Sequence, residues 1–402
     1  MNIANRLFCR TIQLIFRAAL PILPYRQPKQ LGSLTEIAPL LRRRKIRSIL
    51  LVADAGVRCL GLTAALEESL RNEHIVFAVY EQRTPNPTID DVEQARAQYL
   101  LTNAKAIVVV GGGSAMDCAK VVGARIARPK KSVARMRGLL RIARPTPLLI
   151  AAPTTAGTGS EATLAAVITD AKKHHKYPIN DFALIPDYAV LDAALTLGLP
   201  PHITATTGID ALTHAVEAYI GRSTTQFTRA MAEEAVMLIA VNLRKAYENG
   251  RDARARQQML RAAYCAGNAF TRSYVGYVHG IAHSLGGQYG VPHGLANAII
   301  LPHMLRIYGG SITSKLAHLA RKARIAPQEM TDHDAAECFI RWIEEMNRDF
   351  GIPKGFSQIR EEDIPQMAQH AARECNPLYP VPVLMNRKEL EAVYHTLMEE
   401  SR

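Results

Sequence analysis

Between residues 48 and 152, short aliphatic runs alternate with longer segments whose apolar residues recur at helical spacing, and few folds absorb that pattern. The runs Ser48 to Ala53, Ile75 to Tyr80, Ala106 to Val110 and Pro147 to Ala152 carry no charge. Strands of that kind must be covered on both faces. Gly61 to Arg71 and Asp90 to Asn103 lie between them and read as helices, so this part predicts βαβ units in an open parallel sheet. After about Pro200 the texture changes to long helical stretches, such as Phe227 to Tyr247, Ala253 to Ala269 and Ala335 to Phe350, with no comparable strand run. A chain of 402 residues exceeds what one core supports. The expected division is an amphipathic basic N-terminal extension at 1–25, an α/β domain at 26–199 and an all-helical domain at 200–402.

The formal net charge of +13 is unevenly placed. Residues 1–50 hold ten lysines and arginines against the single acid Glu36, and a second basic cluster runs from Arg125 to Arg144 without an acid. Neither cluster comes with zinc-finger spacing or an aromatic-basic RNA motif, which argues against a nucleic-acid partner. Cys9, Cys59, Cys118, Cys265, Cys338 and Cys375 lie far apart with no CxxC pair, as expected in a reducing cytoplasm. In residues 1–24, Leu7, Ile12, Leu14, Ile15, Ala18 and Ala19 form an apolar helical stripe before Pro21, with Arg10 and Arg17 interrupting it. Two arginines are poor company for a spanning helix, and no clean signal-peptide core is present. The plain expectation is a helix packed on its own protein or on a second subunit. The sharper one is peripheral contact with an anionic membrane surface.

Two stretches carry chemistry. In IVVVGGGSAMDCAK (107–120) a buried strand runs into Gly111, Gly112, Gly113 and Ser114 before a helix, a turn whose bare backbone and helix dipole suit a diphosphate. Asp54, just after the first strand, is placed to accept from the ribose hydroxyls of NAD and to repel the 2′-phosphate of NADP, or else to cap a helix. Thr154, Thr155, Thr158 and Ser160 in APTTAGTGSEAT (152–163) offer hydroxyls to a polar ligand or simply cap a turn. In GIDALTHAVEAY (208–219), Asp210 and His214 project from one helical face. VHGIAHSLGGQYGVPHG adds His279, His283 and His293. A carboxylate with several imidazoles suits Fe2+ or Zn2+, and spacing alone admits either His279 or His283 as a ligand.

These motifs, together with PNPT (85–88), PTTAGTGSE (153–161) and AHSLGGQYGVPHGLANAIILPH (282–303), resemble the iron-containing, or group III, alcohol dehydrogenases, a family that includes lactaldehyde reductase and butanol dehydrogenases. The likeness runs from about residue 26 onward. It implies an N-terminal open parallel-sheet dinucleotide-binding domain and a C-terminal all-helical metal-binding domain, with the site between them. It implies one divalent metal, Fe2+ before Zn2+, on Asp210, His214, His279 and His293, with His283 as a catalytic residue assisting proton movement. It further implies dinucleotide contacts at Asp54, Asn86, Gly112, Gly113, Ser114, Asp117, Thr154, Thr155 and Thr158, and at Lys176 in the less regular KKHHKYPIN stretch. The implied function is hydride transfer between NAD, less readily NADP, and an alcohol or aldehyde, by a homo-oligomer. The alternatives are a dehydroquinate synthase-like lyase, which would need dense basic residues around a substrate phosphate, and a non-catalytic membrane-surface protein. The extension and the arginine-rich stretch are departures from the short members of the family.

Overall fold

The computed structural model describes residues 1–84, 86–171 and 175–400. Pro85 of the PNPT motif and residues 172–174 of the KKHHKYPIN stretch lie outside the described residues. The chain forms two units. One comprises Pro24–Leu199 with Arg251–Leu260, and the other comprises Met1–Leu23, Pro200–Gly250 and Arg261–Arg402. The opening helix α1 (Ile3–Ala19) therefore groups with the helical half of the chain.

The first unit is built on strands β1 (Lys29–Leu31), β2 (Ser48–Asp54), β3 (Val76–Gln82), β4 (Ala106–Gly111), β5 (Gly138–Leu139), β6 (Leu148–Pro153), β7 (Ala165–Asp170), β8 (His175–Asn180) and β9 (Tyr188–Val190). Six form one all-parallel sheet in the order β1-β9-β6-β4-β2-β3. β4 is buried along its whole length, as its uncharged sequence requires. Helices α2 (Ile37–Arg43), α3 (Ala55–Cys59), α4 (Ala64–Asn72), α5 (Ile89–Leu101) and α6 (Gly113–Ala127) complete the unit. Two separate cores result. Val92, Tyr99 and Met116 of α5 and α6 pack against alternate strand residues such as Leu50 and Val109, while Leu40, Leu66 and Leu70 of α2 and α4 meet Leu51 and Val108.

From β2 the chain first moves outward to β3, then returns to β4 on the other side of β2. That reversal opens a crevice beyond the carboxyl ends of β2 and β4, where open α/β sheets receive ligands. Asp54 ends β2 and Gly111 ends β4, so strand order alone brings the two sequence-distant features together. A small second sheet, β5-β8-β7, pairs β7 antiparallel with β8 and carries Lys176. Its short, partly polar strands gave no aliphatic run to read.

Part of the second basic cluster laces its own loop, while Lys130, Arg135, Arg137, Arg141 and Arg144 are exposed. Arg125 is 9% exposed, pairs with Glu93 and donates to the carbonyls of Arg128, Pro129 and Lys131. Arg128 and Lys131 in turn donate to the carbonyls of Ile142 and Arg141. A run between elements leaves backbone carbonyls to satisfy, and guanidinium groups satisfy several at once.

The helical unit holds α7 (Pro201–Ile220), α8 (Gln226–Glu248), most of α9 (Ala253–Ser273), α10 (Tyr277–Tyr289), α11 (His293–Tyr308), α12 (Thr313–Lys322), α13 (Asp332–Asp349), α14 (Ile364–Cys375) and α15 (Arg387–Glu399). α7 starts on Pro201, whose missing N–H costs nothing there, and is buried on every side from Gly208 to Ile220. It packs against α8 and α11, and α10 packs against α11 and α14.

α1 docks by its polar side. Arg10 donates to the carbonyls of Val381 and Pro382 at 2.8 Å each, and Gln13 donates to those of Tyr379 and Pro377 at 2.7 and 3.2 Å. The segment NPLYPVP (376–382) forms no regular element and three of its residues lack an N–H, so its carbonyls take donors from elsewhere. Packing of the apolar stripe on its own protein is the expectation that fails: Leu7, Leu14 and Ile15 are 63%, 65% and 60% exposed, Ala18 is exposed, and only Ile12 and Ala19 are half-buried. Periodicity showed that the stripe exists, but the hydrogen-bonding side won the docking surface. Among the described residues no helix is long and apolar enough to cross a membrane.

Candidate active site

Asp210 and His214 sit one turn apart on buried α7, His279 on α10, and His293 at the first position of α11. Gly290 (φ 69°) ends α10 in the left-handed conformation that favours glycine, and the chain reverses through Val291 and Pro292 to bring His293 back toward His279. One ligand atom from each of the four residues lies within 4.8 Å of the others. The Asp210 carboxylate is 3.6 Å from His293 Nε2 and 3.9 Å from His214 Nδ1, and the His214 ring stacks on Phe270 at 4.2 Å. His283 stays outside this group, so geometry separates the two histidines that spacing left equivalent.

Glu217, a residue the sequence reading missed, organises the centre from behind. Its carboxylate accepts from His279 Nδ1 at 2.6 Å and from the backbone N–H groups of Gly276 and Val278 at 2.8 and 2.9 Å. With Nδ1–H committed there, His279 turns its Nε2 lone pair toward the cluster. Burial and the neighbouring imidazoles push His279 well below the usual histidine range, which keeps it neutral and able to ligate. Burial pushes the Glu217 carboxyl up to about 7, against the pull of its donors. Asn297 was missed as well. It lies four residues after His293 on the same face of α11, and its amide nitrogen is 2.7 Å from Asp210, 3.1 Å from His293 Nε2 and 3.2 Å from His279 Nε2. Its amide nitrogen thus converges on three potential ligand atoms. One carboxylate and three imidazoles form a donor set suited to a divalent ion of borderline hardness.

His283 stands beside that centre, its ring stacked on His293 at 5.2 Å and 38% of its side chain exposed. Glu374 on α14 accepts from His283 Nδ1 at 2.6 Å and from the Tyr379 hydroxyl at 2.8 Å. Burial works against the Glu374 carboxylate, yet His283 and Tyr379 hold its pKa below the usual range. The arrangement is a half-open imidazole backed by an ionised carboxylate, able to hold and pass a proton.

In the α/β unit, Gly112 caps α6 and Gly113 and Ser114 form its first turn. Asp54 accepts from the Gly112 N–H at 2.7 Å and makes no side-chain cap, so of its two sequence readings the helix cap is not the one seen. A Cβ at Gly111 would stand 2.4 Å from that carboxylate and 2.7 Å from the Ala115 methyl, which explains glycine there. The loop after β6 comes close: a Cβ at Gly113 would lie 3.0 Å from Thr158, and the Thr154 N–H donates to the Gly111 carbonyl at 3.1 Å. A Cβ at Gly112 would lie 3.9 Å from Thr155. Asn86 accepts from Lys176 at 2.9 Å across the unit. Asp117 accepts from the Val167 N–H and the Ser160 hydroxyl at 2.9 and 3.2 Å.

Lys120 and Glu161, inside two quoted motifs but not singled out, are both buried. The Lys120 ammonium donates to Ser160 Oγ, Thr163 Oγ1, Thr163 O and Ala165 O at 2.9 to 3.0 Å. Burial lowers Lys120 to about 8 and raises Glu161 to about 7. The lysine therefore clamps the Thr154–Thr163 loop onto α6.

Comparison with known proteins places these features. Residues 28–193 match the family described as iron-containing alcohol dehydrogenase, and residues 204–398 match the C-terminal region of the Fe-containing alcohol dehydrogenase family. The chain belongs to the iron-containing alcohol dehydrogenases. It is 34% identical to the NAD-dependent methanol dehydrogenase of Bacillus methanolicus, covering 85% of this chain and 90% of that one. It is also 34% identical to the lactaldehyde reductase of Escherichia coli, covering 91% and 96%. The crystal structure of a 1,3-propanediol oxidoreductase superposes with a TM-score of 0.88 at 34% identity, over 93% of this chain and 99% of that one. As an iron-containing alcohol dehydrogenase the chain is an enzyme, an oxidoreductase of the alcohol–aldehyde couple. Asp210, His214, His279 and His293 all fall within the C-terminal match, whereas α1 precedes both matches.

Proposed function

We propose that this enzyme interconverts a small alcohol and its aldehyde with NAD, using one Fe2+ held by Asp210, His214, His279 and His293. The observation that carries the reading is the convergence of four ligand atoms within 4.8 Å on three buried or half-buried helices, with His279 held neutral. An ion held there would supply Lewis acidity toward a substrate oxygen, and NAD would supply the hydride chemistry.

The chain's own residues do the rest. Gly112, Gly113 and Ser114 at the α6 N-terminus receive the diphosphate, and Thr154, Thr155 and Thr158 line the facing loop. Asn86 and Lys176 bracket the dinucleotide, and Asp117 acts at one remove by holding Ser160. Asp54 favours NAD over NADP through the carboxylate edge that Gly112 does not use. His283, backed by Glu374, moves a proton between the substrate oxygen and solvent. The working form is a cytoplasmic homo-oligomer, with residues 1–24 in peripheral contact with a membrane.

The test is His279→Ala, with iron and zinc content measured on wild type and variant and both assayed with NAD and NADP on a panel of small alcohols and aldehydes. A folded variant lacking metal and turnover is expected. Full metal content with near-normal turnover would remove the assignment.

A further inference from the structure

We infer that the outward face of α1 is a preformed seat for an anionic phospholipid surface. This deepens the peripheral contact proposed above and is independent of the metal and dinucleotide assignments.

At 3.6 residues per turn, Ile3, Leu7, Phe8, Leu14, Ile15 and Ala18 fall within one arc of about 140°. Ile3 is 79% exposed and Phe8 58%, joining the exposed Leu7, Leu14 and Ile15, and Ile22 beyond the helix is 83% exposed. The opposite side carries Cys9, Gln13 and Leu20, all buried. Arg6 and Arg17, both exposed, border the apolar arc on the flank that also holds Arg10. An apolar strip of that width beside a line of arginines is the composition of a helix lying in the plane of a membrane interface. Its 17 residues are too few and too interrupted to span one.

Two further observations select lipid over a second copy of the chain. Residues 1–35 contain Arg6, Arg10, Arg17, Arg26 and Lys29 and no acid. Antiparallel pairing of two such helices would set Arg6 of one against Arg17 of the other with nothing on either segment to neutralise them, whereas phosphate headgroups neutralise both. The helix is also already folded and docked, because the four hydrogen bonds from Arg10 and Gln13 to the 377–382 carbonyls fix it from behind. Binding therefore carries little of the ordering cost that an unfolded amphipathic segment meets.

The experiment sediments the full chain with phosphatidylcholine vesicles and with phosphatidylcholine–phosphatidylglycerol vesicles. It compares wild type with Leu7→Gln/Leu14→Gln/Ile15→Gln and with Arg6→Gln/Arg17→Gln. Wild type is expected to partition to the anionic vesicles and to release as salt rises. The triple variant should lose at least about tenfold in partitioning, since three exposed apolar side chains are removed from the interface. The arginine variant should lose the preference for anionic over neutral vesicles. Undiminished binding by the triple variant would overturn the seat while leaving membrane contact elsewhere. Absence of wild-type binding to either vesicle would overturn both. A fall in particle mass on the triple substitution, measured by light scattering without lipid, would give the face to a second copy and also overturn the inference.

Discussion

Glu217→Gln separates the ligating geometry of the centre from its folding. One carboxylate oxygen accepts from both Gly276 N–H and His279 Nδ1–H, and the other accepts from Val278 N–H. Glutamine has the same shape but only one acceptor. If its oxygen stays with Gly276 and His279, its amino group meets the Val278 N–H at 2.9 Å, donor against donor. If it turns over, two donors are opposed instead. The better arrangement strands one buried N–H, a cost of about 1–3 kcal/mol, and weakens the hydrogen bond to His279 from charge-assisted to neutral. Against this, a fully buried amide is cheaper to hold than a buried carboxylate by an amount of the same order. The metal-free variant should thus melt close to wild type. Metal affinity has no such offset: with its backing anion gone, His279 loses both orientation and basicity, and the expected loss is about 10–100-fold. Chelator competition with Fe2+ or Zn2+ on metal-stripped protein, alongside metal-free melting curves, reads the two effects apart. Equal dissociation constants in wild type and variant would refute the role given to Glu217, and a metal-free melting loss as large as the loss in metal binding would show that it acts on the fold alone.

Gly294→Ala tests the approach of α11 to α7: its Cβ would stand 2.7 Å from the Thr206 carbonyl oxygen, and both atoms belong to helix backbones that cannot step aside. Parting the helices should cost about 1–3 kcal/mol in thermal stability and draw the adjacent His293 away from Asp210, weakening metal binding; wild-type melting and affinity would contradict the tight approach. Glu161→Gln tests the pH profile of the α/β unit. Burial raises Glu161 from 4.5 to about 7, so the folded chain binds more protons than the unfolded one between those values, and its contribution to stability is present below 4.5 and lost as pH rises through 7. Lys120 is the charge acting on that carboxyl and is retained in the variant. The variant should gain about 3 kcal/mol on wild type between pH 4.5 and pH 7 in denaturant melts; parallel profiles would show that Glu161 does not titrate in that window.

Much of the sequence's testimony survives because it concerns properties a linear pattern can carry. Buried parallel strands leave uncharged runs, so β2, β3, β4 and β6 were legible to within a residue or two, whereas β1, β9 and the small β5-β8-β7 sheet, short and partly polar, left none. The i, i+4 step from Asp210 to His214 is a local fact of helices. What brings His279 and His293 to them is the path of three helices, which the resemblance supplied and spacing did not. Glu217 and Asn297 hid for a similar reason: each lies on a helix beside a named ligand, but an acid on a helix face is ordinarily solvated, and only the burial of α7 makes Glu217 a hydrogen-bond hub.

α1 shows where a pattern misleads. Its apolar stripe records that one side of the helix avoids water, and in most helices the protein itself provides the cover. Here the protein offers α1 a segment rich in proline with carbonyls open to donors, and two polar side chains, Arg10 and Gln13, answer it. Once those bonds set the rotation of the helix, Leu7, Leu14 and Ile15 have no choice but to face outward. Hydrogen bonding is directional and apolar burial is not. The directional interaction therefore fixed the pose, and the non-directional one was left for a surface that can conform to it. On the inference drawn above, that surface is an anionic headgroup layer, which conforms and carries the opposite charge.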